Sequence, residues 1–200
     1  RGTGPPPRPM PSPISFAHIV DAARGIVAYD PPRSKVAIVG AQPPRNFAPW
    51  DDGDWVIWGL NEIAQPRMDA HFDLHPLGLN GEREGRFLRE CPGPTYLLEL
   101  DDRVSLGVRF PIERVTERFP DYFCCTFAYQ IALALLEGFT TIGLFGIDLM
   151  FGSERERLVE SPNVAWWMGF AQGRGVDIVL PPGSRLARHP FRYGYQYGAE

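Results

Sequence analysis

Cysteine, long apolar runs and positive charge in excess are all missing from this chain, and each absence excludes a class of protein. Three cysteines stand in 200 residues, Cys91, Cys124 and Cys125, two of them adjacent. An odd, irregular set does not build the disulfide framework of a small secreted domain and points to a reducing compartment such as the cytoplasm. No C-x-x-C pair offers a zinc site, and no metal cluster is evident. No apolar run approaches the roughly 20 residues of a membrane span, so no membrane partner is expected. The chain does not open on a charged segment followed by an apolar core, which gives no expectation of a signal peptide. Its first residue is Arg rather than Met, which reads as a trimmed chain. Twenty basic against 24 acidic residues leave a formal charge of −4. There is therefore no global basic field for nucleic acid, and any polyanion contact needs a local patch.

What is present fits one globular α/β domain. Hydrophobic residues make up 44% and charged residues 22%, while Gly and Pro number 21 each, so loops should be long and numerous. Residues 1–13 hold six prolines and read as a disordered tail. Residues 14–34 read as a helix, with Phe16, Ile19, Val20 and Ala23 at helical spacing, and a linker. Residues 35–200 read as the nucleotide-binding domain. Apolar runs at 35–40, 55–60, 70–74, 140–145 and 176–180, with a weaker one at 95–100, predict buried parallel strands. Between them, 82–89, 122–137 and 163–173 carry helical patterns. Strands alternating with helices predict a Rossmann-like, doubly wound, mostly parallel sheet with helices on both faces.

In such sheets ligands bind beyond the carboxyl ends of the strands, so the residues after each strand are the candidates. Gly40, Ala41, Gln42 and Arg45 follow the first. Gly40 allows backbone amides near a phosphate or ribose, and Arg45 supplies charge; a plain turn explains the same residues. Asn61 follows the second and suits base or sugar recognition, or simply closes a turn. Asp73 and His75 follow the third on one strand face, a carboxylate placed to orient a candidate base. Gly146 and Asp148 follow the fifth. The charged stretch 151–162 reads as a solvated loop or as a mobile lid carrying Glu154 and Arg157 over a ligand. Asp148 and Glu154 are the residues available should a divalent ion take part. Near the C-terminus Arg185, Arg188, His189, Phe191, Arg192, Tyr193, Tyr195 and Tyr197 alternate cations with aromatics. That pattern suits packing on the domain, or DNA contacts through phosphate and base stacking.

KVAIVG, WGLN, FDLH, EGFTTIGLFGIDL, MGFAQGRGVDIVLPPGSRL and YGYQYG together resemble a group of small bacteriophage-encoded Rossmann-like proteins, over residues 35–198. More distantly the pattern is similar to the bacterial family 42 CMP-sialic-acid sialyltransferases and the MptE-like pterin pyrophosphokinases. The resemblance to the sialyltransferases implies that Gly40, Ala41, Gln42 and Asn61 contact an activated nucleotide. It also implies that Cys124, Cys125 and Thr126, before the apolar helix, and Leu149 and Met150, after GID, line the same site. Two departures stand out. The first loop is GAQPPR, without the family's Asn and Ser. The family's catalytic His lies downstream of GID, where this chain has only His189 in a different local sequence. Either His75 takes over as base or the chemistry differs.

The preferred reading is a transferase with a nucleotide sugar as donor, in a phage setting a glycosyltransferase acting on hydroxymethylated pyrimidines of DNA in the host cytoplasm. His75, Asp73 or Asp148 would take the acceptor proton. Arg45 or Arg157 would stabilise the departing phosphate. The rivals are a small-nucleotide pyrophosphokinase or phosphohydrolase and a non-catalytic nucleotide-binding module.

Overall fold

A computed structural model describes residues 34–60, 65–76, 87, 88, 90, 91, 93–149 and 152–186. The tail, the helix at 14–24 and its linker up to residue 33 lie outside the described residues. So do Asn61, Met150 and the aromatic–cation segment beyond Leu186.

The first apolar run forms β1 (Lys35–Val39) and the second β2 (Trp55–Leu60), followed by β3 (Ala70–Phe72), β4 (Thr95–Leu97), β5 (Gly107–Arg109), β6 (Thr141–Phe145) and β7 (Asp177–Val179). The sheet order is β5-β4-β3-β2-β1-β6-β7 and every pairing is parallel. Central strands buried on both faces must be apolar throughout, which is why β1 and β6 read as continuous runs rather than alternations. The chain winds outward from β1 to β5, then returns to the other side of β1 as β6. Between β1 and β6 lies the point where the winding reverses, and a crevice opens there at the carboxyl ends of the strands.

Val36, Ile38, Trp58, Phe72, Tyr96, Ile142 and Leu144 face one side of the sheet and form the main core with the α-helices. These are α1 (Ile112–Arg118), α2 (Thr126–Glu137) and α3 (Ser161–Gly173). The opposite face is covered over Ala37, Val39, Ile57 and Phe145 by Ala48 and Trp50, just beyond a 3-10 turn at Pro43–Phe47. Leu88, in a helical stretch, covers it over Leu97. The fold is thus a doubly wound α/β sheet covered on both faces, as the alternation of patterns predicts. No helix of the described residues is long and apolar enough to cross a membrane.

Three stretches of the chain differ from the sequence expectation, each for a local reason. β5 and α1 fall in a stretch with no predicted element: β5 is three residues long, opens on Gly107 and is half-buried, so it leaves no apolar run to detect. α2 starts at Thr126 rather than at 122, because residues 122–125 are engaged from α3. The Asn163 side chain accepts from Cys124 N (3.0 Å) and donates to Tyr122 O (3.0 Å), and Trp167 Nε1 donates to the same carbonyl (2.7 Å). The stretch expected as loop or lid is helical from Glu154, with a π-helical turn at Glu156–Glu160 running into α3. Its start is a reciprocal cap: Glu156 N donates to Ser153 Oγ (3.2 Å) and Ser153 N to Glu156 Oε2 (2.9 Å).

Candidate active site

The carboxyl ends of β1 and β6 approach so closely that side chains are excluded. Gly40 N donates to Phe145 O (2.8 Å) and Gln42 N to Gly146 O (3.0 Å). A Cβ on Gly40 would stand 2.5 Å from Gly146 O. Gly146 has φ +65, and its Cβ would stand 2.7 Å from Arg45 Cβ. Both glycines are therefore demanded by contact, and Gly146 by conformation as well.

Above this junction opens a cavity of about 520 Å³. Its floor is strand ends: Ala41 and Gln42 after β1, Leu60 of β2, Leu74 and His75 after β3, and Gly146 to Leu149 after β6. One wall is the segment into α2, including Phe123, Cys124, Cys125, Thr126 and Phe127. The other wall is Gly152, Arg155, Glu156 and Glu160. Thr126 and Phe127, the first residues of α2, line this space, where the partial positive charge of a helix N-terminus favours an anion. Leu149 sits in the left-handed region (φ 55), a strained conformation for a leucine, on the cavity floor.

Of the residues expected from sequence, Ala41, Gln42, His75, Thr126, Gly146 and Asp148 line this cavity, and Gly40 forms its junction. Asp73 does not reach it. Its side chain is 1% exposed and lies beneath His75, Oδ1 at 3.4 Å from His75 Nδ1 and 3.3 Å from His75 N. Arg45 is half-buried behind Gly146, outside the lining. Glu154 and Arg157 are exposed and also outside it, because the helix that replaces the expected loop turns Arg155, Glu156 and Glu160 inward instead. Asn61 and Met150 lie outside the described residues. The S-x-x-E capping pattern at 153–156 was the signal that this stretch is helical. Nothing in the sequence shows that Phe123, Tyr129, Arg155 and Glu160 share a wall with the strand ends.

The electrostatics divide the cavity. Arg155 donates from Nη2 to Cys124 O (3.1 Å) and from Nε to Glu160 Oε1 (3.1 Å), tying one wall to the other. Asp148 Oδ1 is sealed from solvent without a hydrogen-bond partner among the described residues. Burial pushes the Cys125 thiol up to about 12. It is therefore inert at neutral pH; Cys91, Cys124 and Cys125 are all free. Two residues before Asp73, fully buried His71 is held down at about 4 by burial, against the opposing pull of Asp73, and is neutral. Among the described residues no group of three or more His, Cys, Asp or Glu is placed to hold a metal ion.

No family model matches the chain, and no curated protein matches it. Solved structures do match. The monofunctional α-2,3-sialyltransferase Cst-I from Campylobacter jejuni superposes with a TM-score of 0.52 at 13% identity over 78% of each chain. The sialyltransferase CstII from the same organism, in complex with the substrate analogue cytidine-5'-monophosphate, gives 0.51 at 13% identity, covering 76% of this chain and 82% of that one. The likeness is one of fold. It agrees with the architecture that the family 42 resemblance implies, and these neighbours are enzymes of which one was solved with a nucleotide bound.

Proposed function

We propose that the protein is a glycosyltransferase that takes a nucleotide sugar as donor in the cavity between β1, β6 and α2. The observation that carries this reading is the glycine junction at the topological switch, beside the N-terminus of a 12-residue helix. The junction lets a ligand approach the backbone at Ala41 closely, and the helix N-terminus favours a phosphate beside it. The nucleotide phosphate sits beside Ala41 and Gln42 and the N-terminal end of α2, with Arg45 behind the junction. Asn61 and Met150 border the nucleotide by their sequence positions, as the resemblance implies. The donor sugar extends toward Asp148 and the α3 wall.

In this reading His75 is the general base. Asp73 stands beside Nδ1 and holds the ring, so Nε2 takes the proton of an acceptor hydroxyl. The freed oxygen forms a bond to the anomeric carbon as the bond from that carbon to the phosphate oxygen breaks. The nucleotide leaves with the electron pair, its charge met by the helix N-terminus. For the acceptor we assign the hydroxymethyl group of a modified pyrimidine in phage DNA, on the resemblance to phage-encoded proteins and the alternation of Arg and Tyr near the C-terminus.

The test has two stages. Nucleotides are titrated by calorimetry; binding that is lost in Gly146→Ala supports the site. The protein is then incubated with nucleotide sugars and hydroxymethylated DNA, and nucleosides are examined by mass spectrometry. A mass increment of one sugar on the modified pyrimidine supports the full reading. Nucleotide binding without turnover makes the protein a binding module. Release of phosphate from the nucleotide without sugar transfer makes it a phosphohydrolase.

A further inference from the structure

Resting on that reading, we infer that the transferred sugar is neutral and hydroxyl-rich, and that the cavity discriminates against sugars bearing a carboxylate. Among the described residues three carboxylates line the space, Asp148, Glu156 and Glu160, against one guanidinium, Arg155. Arg155 is engaged by its own walls, with Nη2 on Cys124 O and Nε on Glu160. His75 stands against the Asp73 carboxylate. The helix N-terminus and the glycine junction form the anion-holding corner, and in a nucleotide sugar the phosphate occupies it. A second anion on the sugar would meet like charge at Asp148, Glu156 and Glu160, with no free arginine fork among the described lining residues to receive it.

A neutral sugar meets the opposite situation. Ionised carboxylates only accept hydrogen bonds, and sugar hydroxyls donate them. Asp148 lines the cavity, and its carboxylate is under-satisfied, with Oδ1 lacking a donor among the described residues. An acceptor in that condition is stabilised by any hydroxyl brought within reach. Asp148 thus rewards a hydroxyl and repels a carboxylate, using both an attractive and a repulsive element for specificity. The inference runs counter to transferring the sugar from a solved neighbour without change: CstII has been solved in complex with CMP-3FNeuAc, at a TM-score of 0.50.

The experiment compares matched donors that differ only in a hydroxymethyl against a carboxylate: UDP-glucose with UDP-glucuronate, and GDP-mannose with GDP-mannuronate. Each is titrated into the wild-type protein by calorimetry beside UDP, GDP and CMP alone. The neutral member of a pair should bind at least about tenfold more tightly than its uronate. Raising potassium chloride from 50 to 500 mM should shrink the ratio, since added salt screens like-charge repulsion. Asp148→Asn should shrink it about threefold at low salt and weaken the neutral donor. If every nucleotide and nucleotide sugar fails to bind, the donor reading falls and this inference with it. If nucleotides bind but the uronate is held as well as its neutral counterpart, this inference alone is overturned. The same follows if no sugar of either kind improves on the bare nucleotide.

Discussion

Asn163 joins the fold to the site, so replacing it tests both. It is fully buried in α3, where its amide holds Cys124 N and Tyr122 O at 3.0 Å each. Asn163→Ala leaves the Cys124 amide without its partner, at a cost of about 1–3 kcal/mol. The vacated volume adds about 1 kcal/mol. The Tyr122 carbonyl keeps Trp167 Nε1 at 2.7 Å, so it adds little. The expected loss is about 2–4 kcal/mol. For a protein of this size each kcal/mol moves Tm by about 2–4 °C, so the fall should be about 4–16 °C by differential scanning calorimetry. The same substitution frees the segment 122–125 that walls the cavity, and nucleotide affinity should fall by about tenfold even well below the new Tm. A Tm within 1 °C of wild type would refute the energetic argument. A normal Tm loss with unchanged affinity would refute the link between this clamp and the site.

Gly146→Ala should cost about 2 kcal/mol or more and abolish nucleotide binding, because its φ is +65 and its Cβ would meet Arg45 Cβ and Gly40 O under 3.0 Å; thermal melts and calorimetry read both effects. His75→Ala should lower turnover by about 10²-fold with little change in nucleotide affinity, and Asp73→Asn should lower it less while altering the pH–rate profile. Burial raises Glu137 to about 8, and its Oε1 is sealed from solvent without a hydrogen-bond partner among the described residues. The folded chain then binds more protons than the unfolded chain between 4.5 and 8, so this contribution is whole at low pH and is lost as pH rises through 8. His71, lowered to about 4, has the opposite slope below 6.5, where its contribution is lost as pH falls. Between pH 6.5 and 8 only the Glu137 slope of this pair remains, about 2 kcal/mol in all at about 1.4 kcal/mol per unit. Urea denaturation across that range should show Glu137→Gln nearly flat against a falling wild type, and parallel slopes would refute the assignment.

Fold class and much of the cavity floor follow from sequence alone, since both depend on local pattern. Continuous apolar runs alternating with helical patterns indicate buried parallel strands, and in a doubly wound sheet the residues after those strands share one rim. Gly40, Gln42, His75, Gly146 and Asp148 were legible on that ground. Asp73 was legible too, but its alternation with His75 says only that the two share a strand face. Burial to 1% decides that Asp73 sits beneath the ring and not in the cavity. The α3 wall was legible only in part. Ser153 and Glu156 mark a helix start three residues apart, yet which of the following charges turn inward depends on the π-helical turn and on where α3 packs. That packing is set by Asn163 and Trp167 reaching about forty positions back to Tyr122 and Cys124. Such contacts leave no trace in local periodicity, because the partners meet only once the sheet has wound back past β1. The sequence by itself determines the sheet and the rim. The tertiary structure alone decides that Arg155, Glu156 and Glu160, rather than Glu154 and Arg157, face the cavity, because side-chain direction on a helix is set by what the helix packs against.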